Sequence, residues 1–351
     1  MYILTSLIPE DLDLVIPGNL GFFEFLIIFS FVFHIIFVNI TVGSSAMAVF
    51  QEVKGIKTRS KSDDLLARQL ADHTSILKSI AVVLGIAPLL LISVIYTQYF
   101  YPSTILIGKA WLSLLLILIV AFLILYGYKF SWDAMLYDRK KRVHVLIGAI
   151  GSLMLLFVPL IFIVNVVSML YPEMWAESKG FFHGLTYYPQ VWQRYLHFIL
   201  ASFAAAGFYL YFWNNRLQKK MLKNNQIETE VEVNMKVKGK KYGLQIMIWS
   251  TAIQFGAGFL LILSFEKDIR MLYMGEDVLL TSLLIISIFV TFILLYFLSL
   301  LKTTDKKKYF LLAVISFVIV LALMGWMRHE LRENYIKPFK EEMPQRTHLD
   351  S

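Results

Sequence analysis

The sequence contains no cysteine. Disulfides are therefore excluded, and so are iron–sulfur clusters and a covalently attached c-type haem, whose signature is C-x-x-C-H. Charge is also scarce: 17% of the 351 residues are Asp, Glu, Lys or Arg, where a soluble domain carries about a quarter. No phosphate-binding glycine loop, metalloprotease motif or nucleophile triad is visible. What is abundant is apolar side chain: 58% of the residues are hydrophobic and the mean hydropathy is +0.65. The excess lies in runs of about 20 residues with almost no charge, the length that a hydrocarbon core about 30 Å thick demands of a helix. Strands would span only as a closed barrel of short alternating segments. These runs do not alternate, so the expected fold is an all-α membrane bundle.

Spans are expected near residues 20–48, 75–98, 104–128, 143–170, 192–214, 242–265, 278–301 and 308–327, forming one transmembrane unit over 1–351. Most basic residues fall in alternate connections: Lys54, Lys57, Arg59, Lys61 and Arg68; Lys129 and Arg139 to Arg142; Arg216 to Lys241; Lys302 to Lys308. The other connections carry Glu173, Glu177, Glu266, Asp268, Glu276 and Asp277. The positive-inside rule then places both termini outside, which in a bacterium is the periplasm, and the protein in the cytoplasmic membrane. No cleavable signal peptide is expected, because Met1 to Gly18 carries Glu10, Asp11 and Asp13 and no basic segment. The stretch 215–241 reads as a solvated basic connection, with contact to anionic headgroups as the rival reading. Gly256-Ala257-Gly258 reads as a close-packing signal.

Polar residues inside spans carry the functional information, since an ionisable side chain there costs several kcal/mol unless partnered. His34 lies deep in the first span, and neutral imidazole is a good haem-iron ligand. The competing reading is a histidine bonded to a backbone carbonyl. His197 has the same two readings, and Arg194 lies on its helix face with a fork suited to a haem propionate, or else snorkels. Counted from the helix starts, His34 lies roughly 20 Å deep and His197 roughly 8 Å, which argues for two separate haems. Glu330 and its neighbour His329 are further candidate iron ligands, against an ordinary charged helix end, and Trp326 precedes them. Lys109 is either functional or snorkelling. Lys78 and His73 read as interfacial anchors, and His144, His183 and His348 as loop or interface residues. Pro88 and Pro159 are expected to kink their helices.

These residues resemble a known family. Phe33-His34-Ile35-Ile36-Phe37-Val38-Asn39-Ile40-Thr41-Val42-Gly43 looks like the first helix of cytochrome bd quinol oxidase subunit I. Leu84-Gly85-Ile86-Ala87, Ser131-Trp132-Asp133, Arg194-x-x-His197 and Gly325-Trp326-x-x-x-Glu330 resemble later motifs of that family in the same order. The resemblance implies that His34 is an axial ligand in the oxygen-reducing haem pair. It implies that His197 ligates the low-spin haem that takes electrons from quinol, and that Glu330 is a haem ligand. It also implies two or three haems b, with one open to being haem d, a quinol or menaquinol substrate, and a second membrane subunit.

The departures are specific. Ser93 stands where the family has a Glu, and only Glu266 to Asp277 stands where the family has a long quinol-binding loop. Thr281 to Leu301 contains no Met or His to complete the low-spin ligation, which leaves Met271 or Met274 of the outer connection, or no protein ligand. The family's ninth span is absent. These losses favour electron delivery to a periplasmic multihaem cytochrome c docked on the acidic connections over delivery to oxygen. The rivals are a haem-free transporter, which buried Lys109, Pro88 and Asn165 would suit, and an anchor subunit without haem. No nucleic-acid partner is expected.

Overall fold

The computed structural model describes residues 8–9, 18–135, 138–224 and 229–341. Within them every long element is a helix and no strand occurs. In chain order these are α1 (Leu20–Thr58), α2 (Lys61–Ile95), α3 (Thr97–Leu106), α4 (Gly108–Phe130) and α5 (Asp138–Ser168). There follow a 3-10 turn (Pro172–Glu177), α6 (Phe181–Tyr187), α7 (Val191–Asn224), α8 (Glu230–Leu263), α9 (Lys267–Met271), a π turn (Leu272–Glu276), α10 (Val278–Thr303) and α11 (Lys307–Glu341). The eight helices α1, α2, α4, α5, α7, α8, α10 and α11 are long and apolar enough to cross a membrane. They coincide with the expected spans, and the chain is a multi-pass membrane bundle. The residues Glu10, Asp11, Asp13 and His348 lie outside the described residues.

Most of these helices run past their apolar stretch on the basic face, and local chemistry explains why. Arg59 takes a left-handed φ of 50° and closes α1, and Ser60 then caps α2 by accepting from the Asp63 N–H at 3.3 Å. Asp63 and Asp64 occupy the first turn of α2, where the helix dipole favours anions. The stretch 215–241 is correspondingly helical over most of its length: α7 continues to Asn224, and a capping box of Thr229 and Glu232 starts α8. Lys238 returns to bond Ser60 at 2.9 Å and Asp63 at 2.8 Å, so this segment is a folded part of the basic face.

α1 is the hub, packed against α2, α5, α7 and α11. Small residues set the approach. A Cβ at Gly43 of α1 would lie 2.2 Å from the Ser202 carbonyl oxygen of α7, and Gly207 of α7 and Gly243 of α8 present each other the same obstacle at 2.6 Å. Gly256 and Gly258 face open space instead, so that pair is not a packing contact. Both α2 and α5 stay helical through Pro88 and Pro159.

Near the basic face a buried polar cluster ties α1, α2, α4 and α5. Glu52 and His144 are both 0% exposed. The Tyr128 hydroxyl donates to Glu52 at 2.7 Å, His144 Nδ1 meets Glu52 Oε1 at 2.7 Å, and His144 Nε2 donates to the Tyr128 carbonyl at 2.7 Å. Lys141 stands 3.5 Å from Glu52 and also pairs with Asp64. His144 is therefore a core residue rather than a loop residue. Lys78 is buried too, its Nζ 4.1 Å from the Phe122 ring centre and 3.5 Å from that of Tyr126. His73 bonds the Tyr209 hydroxyl at 3.1 Å.

Candidate functional site

His34 stands on the face of α1 turned to α2. Its Nδ1 lies 2.9 Å from the Ala81 carbonyl oxygen. A carbonyl only accepts, so Nδ1 carries the hydrogen and Nε2 keeps its lone pair. One turn along α2, Gly85 lies against the imidazole: a Cβ there would come 2.7 Å from His34 Cε1. The backbone of α2 thus fixes both the tautomer and the plane of the ring, which is how metal-bound imidazoles are oriented. The rival reading from sequence, a carbonyl-bonded histidine, describes the same contact and leaves Nε2 to be accounted for.

His197 is in the second turn of α7. Its Nδ1 is buried and has no hydrogen-bond partner. Leaving such a nitrogen unmet costs about 1–3 kcal/mol, so it calls for an atom that the protein alone does not supply. Arg194, one turn nearer the helix start, lines a small cavity together with Val166 and Leu170 of α5 and Arg328, Leu331 and Arg332 of α11. Three guanidiniums meet here, and among the described residues none forms an ion pair with a carboxylate. Arg328 lies over the Phe31 ring at 3.8 Å and Arg332 over the Tyr96 ring at 4.0 Å. Arg332 is 5% exposed and its Nε has no partner. A buried cluster of like charge in a membrane segment calls for an anion.

Arg194 is gripped from outside the helix. Gln190 Oε1 accepts from its Nη2 at 2.6 Å and its Nε at 3.1 Å, while Gln190 Nε2 donates to the hydroxyls of Tyr335, at 2.7 Å, and of Tyr171. Gln190, Tyr171 and Tyr335 carry no sequence motif and were not anticipated. Arg328 and Arg332 were legible in principle: they are basic residues four apart on a span end that faces away from the basic connections.

The other expected site residues separate. Trp326 donates to Glu330 Oε1 at 2.9 Å, and this pair lies on the outside of α11 with Trp326 45% exposed. His329 is buried and its Nδ1 accepts from Arg332 Nη2 at 3.1 Å, so its free nitrogen is the protonated one and a metal has no lone pair to take. Lys109 is exposed in the first turn of α4 and does not line the arginine cavity. Met271 and Met274 are 37% and 54% exposed and do not line it either.

The Gly43–Ser202 crossing sets the heights of the two histidines. His34 lies roughly 14 Å and His197 roughly 8 Å from it, both on the side away from the basic face. Counting from the helix starts misjudged the order, because α1 begins farther out than α7. Each histidine is about half a turn round its helix from the crossing residue, so the two rings face away from the shared α1–α7 contact.

These residues fit haem. His34 and His197 each offer an imidazole nitrogen with no protein partner, and the arginines beside His197 carry the charge that a haem's carboxylates need. Among the described residues no cluster of three His, Cys, Asp or Glu suits a bare metal ion, so the donor set favours a prosthetic group that brings most of its own ligands.

On the acidic face, burial raises the Glu173 carboxyl above its ordinary value, and the neighbouring Glu266 raises it further. Burial, then Asp268, raises Glu266 likewise. Of the acids expected to attract a docked cytochrome, Glu173 is thus partly withdrawn from the surface, while Glu266 stays exposed.

Neither a protein-family model nor a curated protein sequence matches the chain. A solved structure does: that of bd oxidase from Geobacillus thermodenitrificans superposes with a TM-score of 0.68 at 15% identity, over 90% of this chain and 87% of that one. The chain therefore has a bd oxidase-like fold.

Proposed function

We propose that this chain is a haem-binding membrane cytochrome of the bd type that accepts electrons from quinol, and that it works with a second membrane subunit. The observation that carries this reading is the cavity lined by Arg194, Arg328 and Arg332, one turn from the orphaned nitrogen of His197. His197 would hold one haem b, and Arg194, Arg328 and Arg332 would meet its propionates. His34, its Nδ1 tied to Ala81, would hold a second haem, b or d, through its other ring nitrogen. A third haem on Glu330 requires that its bond to Trp326 be exchanged. Haem supplies one-electron chemistry there. The side chains exclude water, hold the imidazoles neutral and supply positive charge that favours the reduced form. Glu24, Glu330 and Glu333 at the same end of the bundle are placed to take protons released as quinol is oxidised.

Oxygen is the acceptor this reading favours over a docked periplasmic cytochrome c, since the fold likeness is to an oxidase and Glu173 is partly buried. The test is to add a reduced menaquinol analogue to the purified protein and follow the haem α-band and oxygen together. Haem reduction with oxygen uptake supports the reading. Haem that quinol leaves oxidised contradicts it.

A further inference from the structure

Gln190 immediately precedes α7 with a φ of 70°, a left-handed conformation that a side chain disfavours and glycine adopts freely. It is 1% exposed. The backbone alone would be better served by glycine at this position, so the strain points to a task for the side chain. That side chain uses its full hydrogen-bonding capacity: two N–H groups to Tyr171 and Tyr335, and two oxygen lone pairs to Arg194. Tyr335 is held in turn by Tyr171 at 3.2 Å and by the Glu266 N–H at 3.3 Å. The amide is therefore oriented from three elements: α11, the segment after α5, and the turn before α9.

The chemistry of the acceptor matters as much as its place. A carboxylate at the same point would hold Arg194 equally well and cancel its charge. An amide oxygen fixes two of its N–H groups and leaves the charge whole, on a side chain that lines the cavity shared with Arg328 and Arg332. We propose that Gln190 is a positioning residue of the haem site, which aims the Arg194 guanidinium at the propionates while leaving it unneutralised. This rests on the reading of His197 as a haem ligand.

The test uses the full-length protein purified with its native haem, in Gln190→Gly and Gln190→Glu forms. Haem content, the midpoint potential of the His197 haem and the thermal midpoint are measured. Gln190→Gly relieves the backbone but leaves Tyr171, Tyr335 and Arg194 without their buried partner, so its thermal midpoint is expected to fall while haem affinity falls about tenfold, the loss of one charge-assisted contact. Gln190→Glu is expected to keep haem but shift its potential negative, because a carboxylate now compensates Arg194. A Gly variant that binds haem as tightly as the parent, or a Glu variant with an unchanged potential, overturns the proposal. A parent protein without a haem spectrum would instead remove the haem reading itself, so the two failures are distinct.

Discussion

At the residue scale, the histidines were readable because an imidazole in an unbroken apolar run has no bland purpose. Their surroundings were not readable. That Gly85 shapes the His34 pocket follows only from the packing of α1 on α2, in which a Cβ would come 2.7 Å from the ring. Gly85→Val is expected to remove the haem signal assigned to His34 and leave that of His197, checked by optical spectra of the purified variant. Arg328 and Arg332 received no reading from the sequence, because spacing along one helix does not say that Arg194 of another helix meets them. Glu173 gives a prediction with a sign. Its folded-state pKa is raised above the unfolded value. Stability from the protonated form is therefore present at low pH and lost as pH rises through the folded pKa. Glu173→Gln is expected to unfold at a higher temperature than the parent at about pH 8, with the difference vanishing near about pH 4. Thermal scans at both pH values check it, and an equal midpoint at the higher pH counts against it.

At the scale of elements, the eight spans were legible as runs of hydropathy, and their centres agree with the helices. Their ends on the basic face were not legible, since hydropathy stops where charge begins but the helix does not. There α1, α2, α7 and α8 continue as polar helices held by Lys54–Asp63 at 3.0 Å, Lys238–Asp63 at 2.8 Å and the Thr229 capping box. His144 was misread for the same reason: it precedes the apolar run of α5, yet faces Glu52 across the bundle. Two variants probe these contacts. Glu52→Ala leaves Lys141 and His144 without their buried partner and is expected to destabilise by about 3–5 kcal/mol. Gly207→Leu forces α7 from α8 at the reciprocal glycine contact and is expected to cost about 1–3 kcal/mol or more. Unfolding in graded denaturing detergent measures both, and a loss below about 1 kcal/mol in either contradicts the packing described.

At the scale of the whole molecule, the bundle has one basic face, where ion pairs stitch helix ends together, and one face that carries Arg194, Glu330 and the buried acids. The charge asymmetry predicts that the second face, and with it the end of α11, is periplasmic. A C-terminal fusion is expected to be active with a reporter that works only outside the cytoplasm, and activity of a cytoplasm-only reporter contradicts the orientation. The central claim is that His34 and His197 serve two separate haems. Their faces on α1 and α7 turn away from the shared contact at Gly43 and Ser202, which favours two sites over one shared iron. The measurement is the haem-to-protein ratio, with reduced-minus-oxidised spectra, in the parent, His34→Ala, His197→Ala and the double variant. The account predicts that each single variant stays inserted and loses a different haem band, and that the double variant loses both. A parent without haem, or single variants that lose the same band, would contradict it.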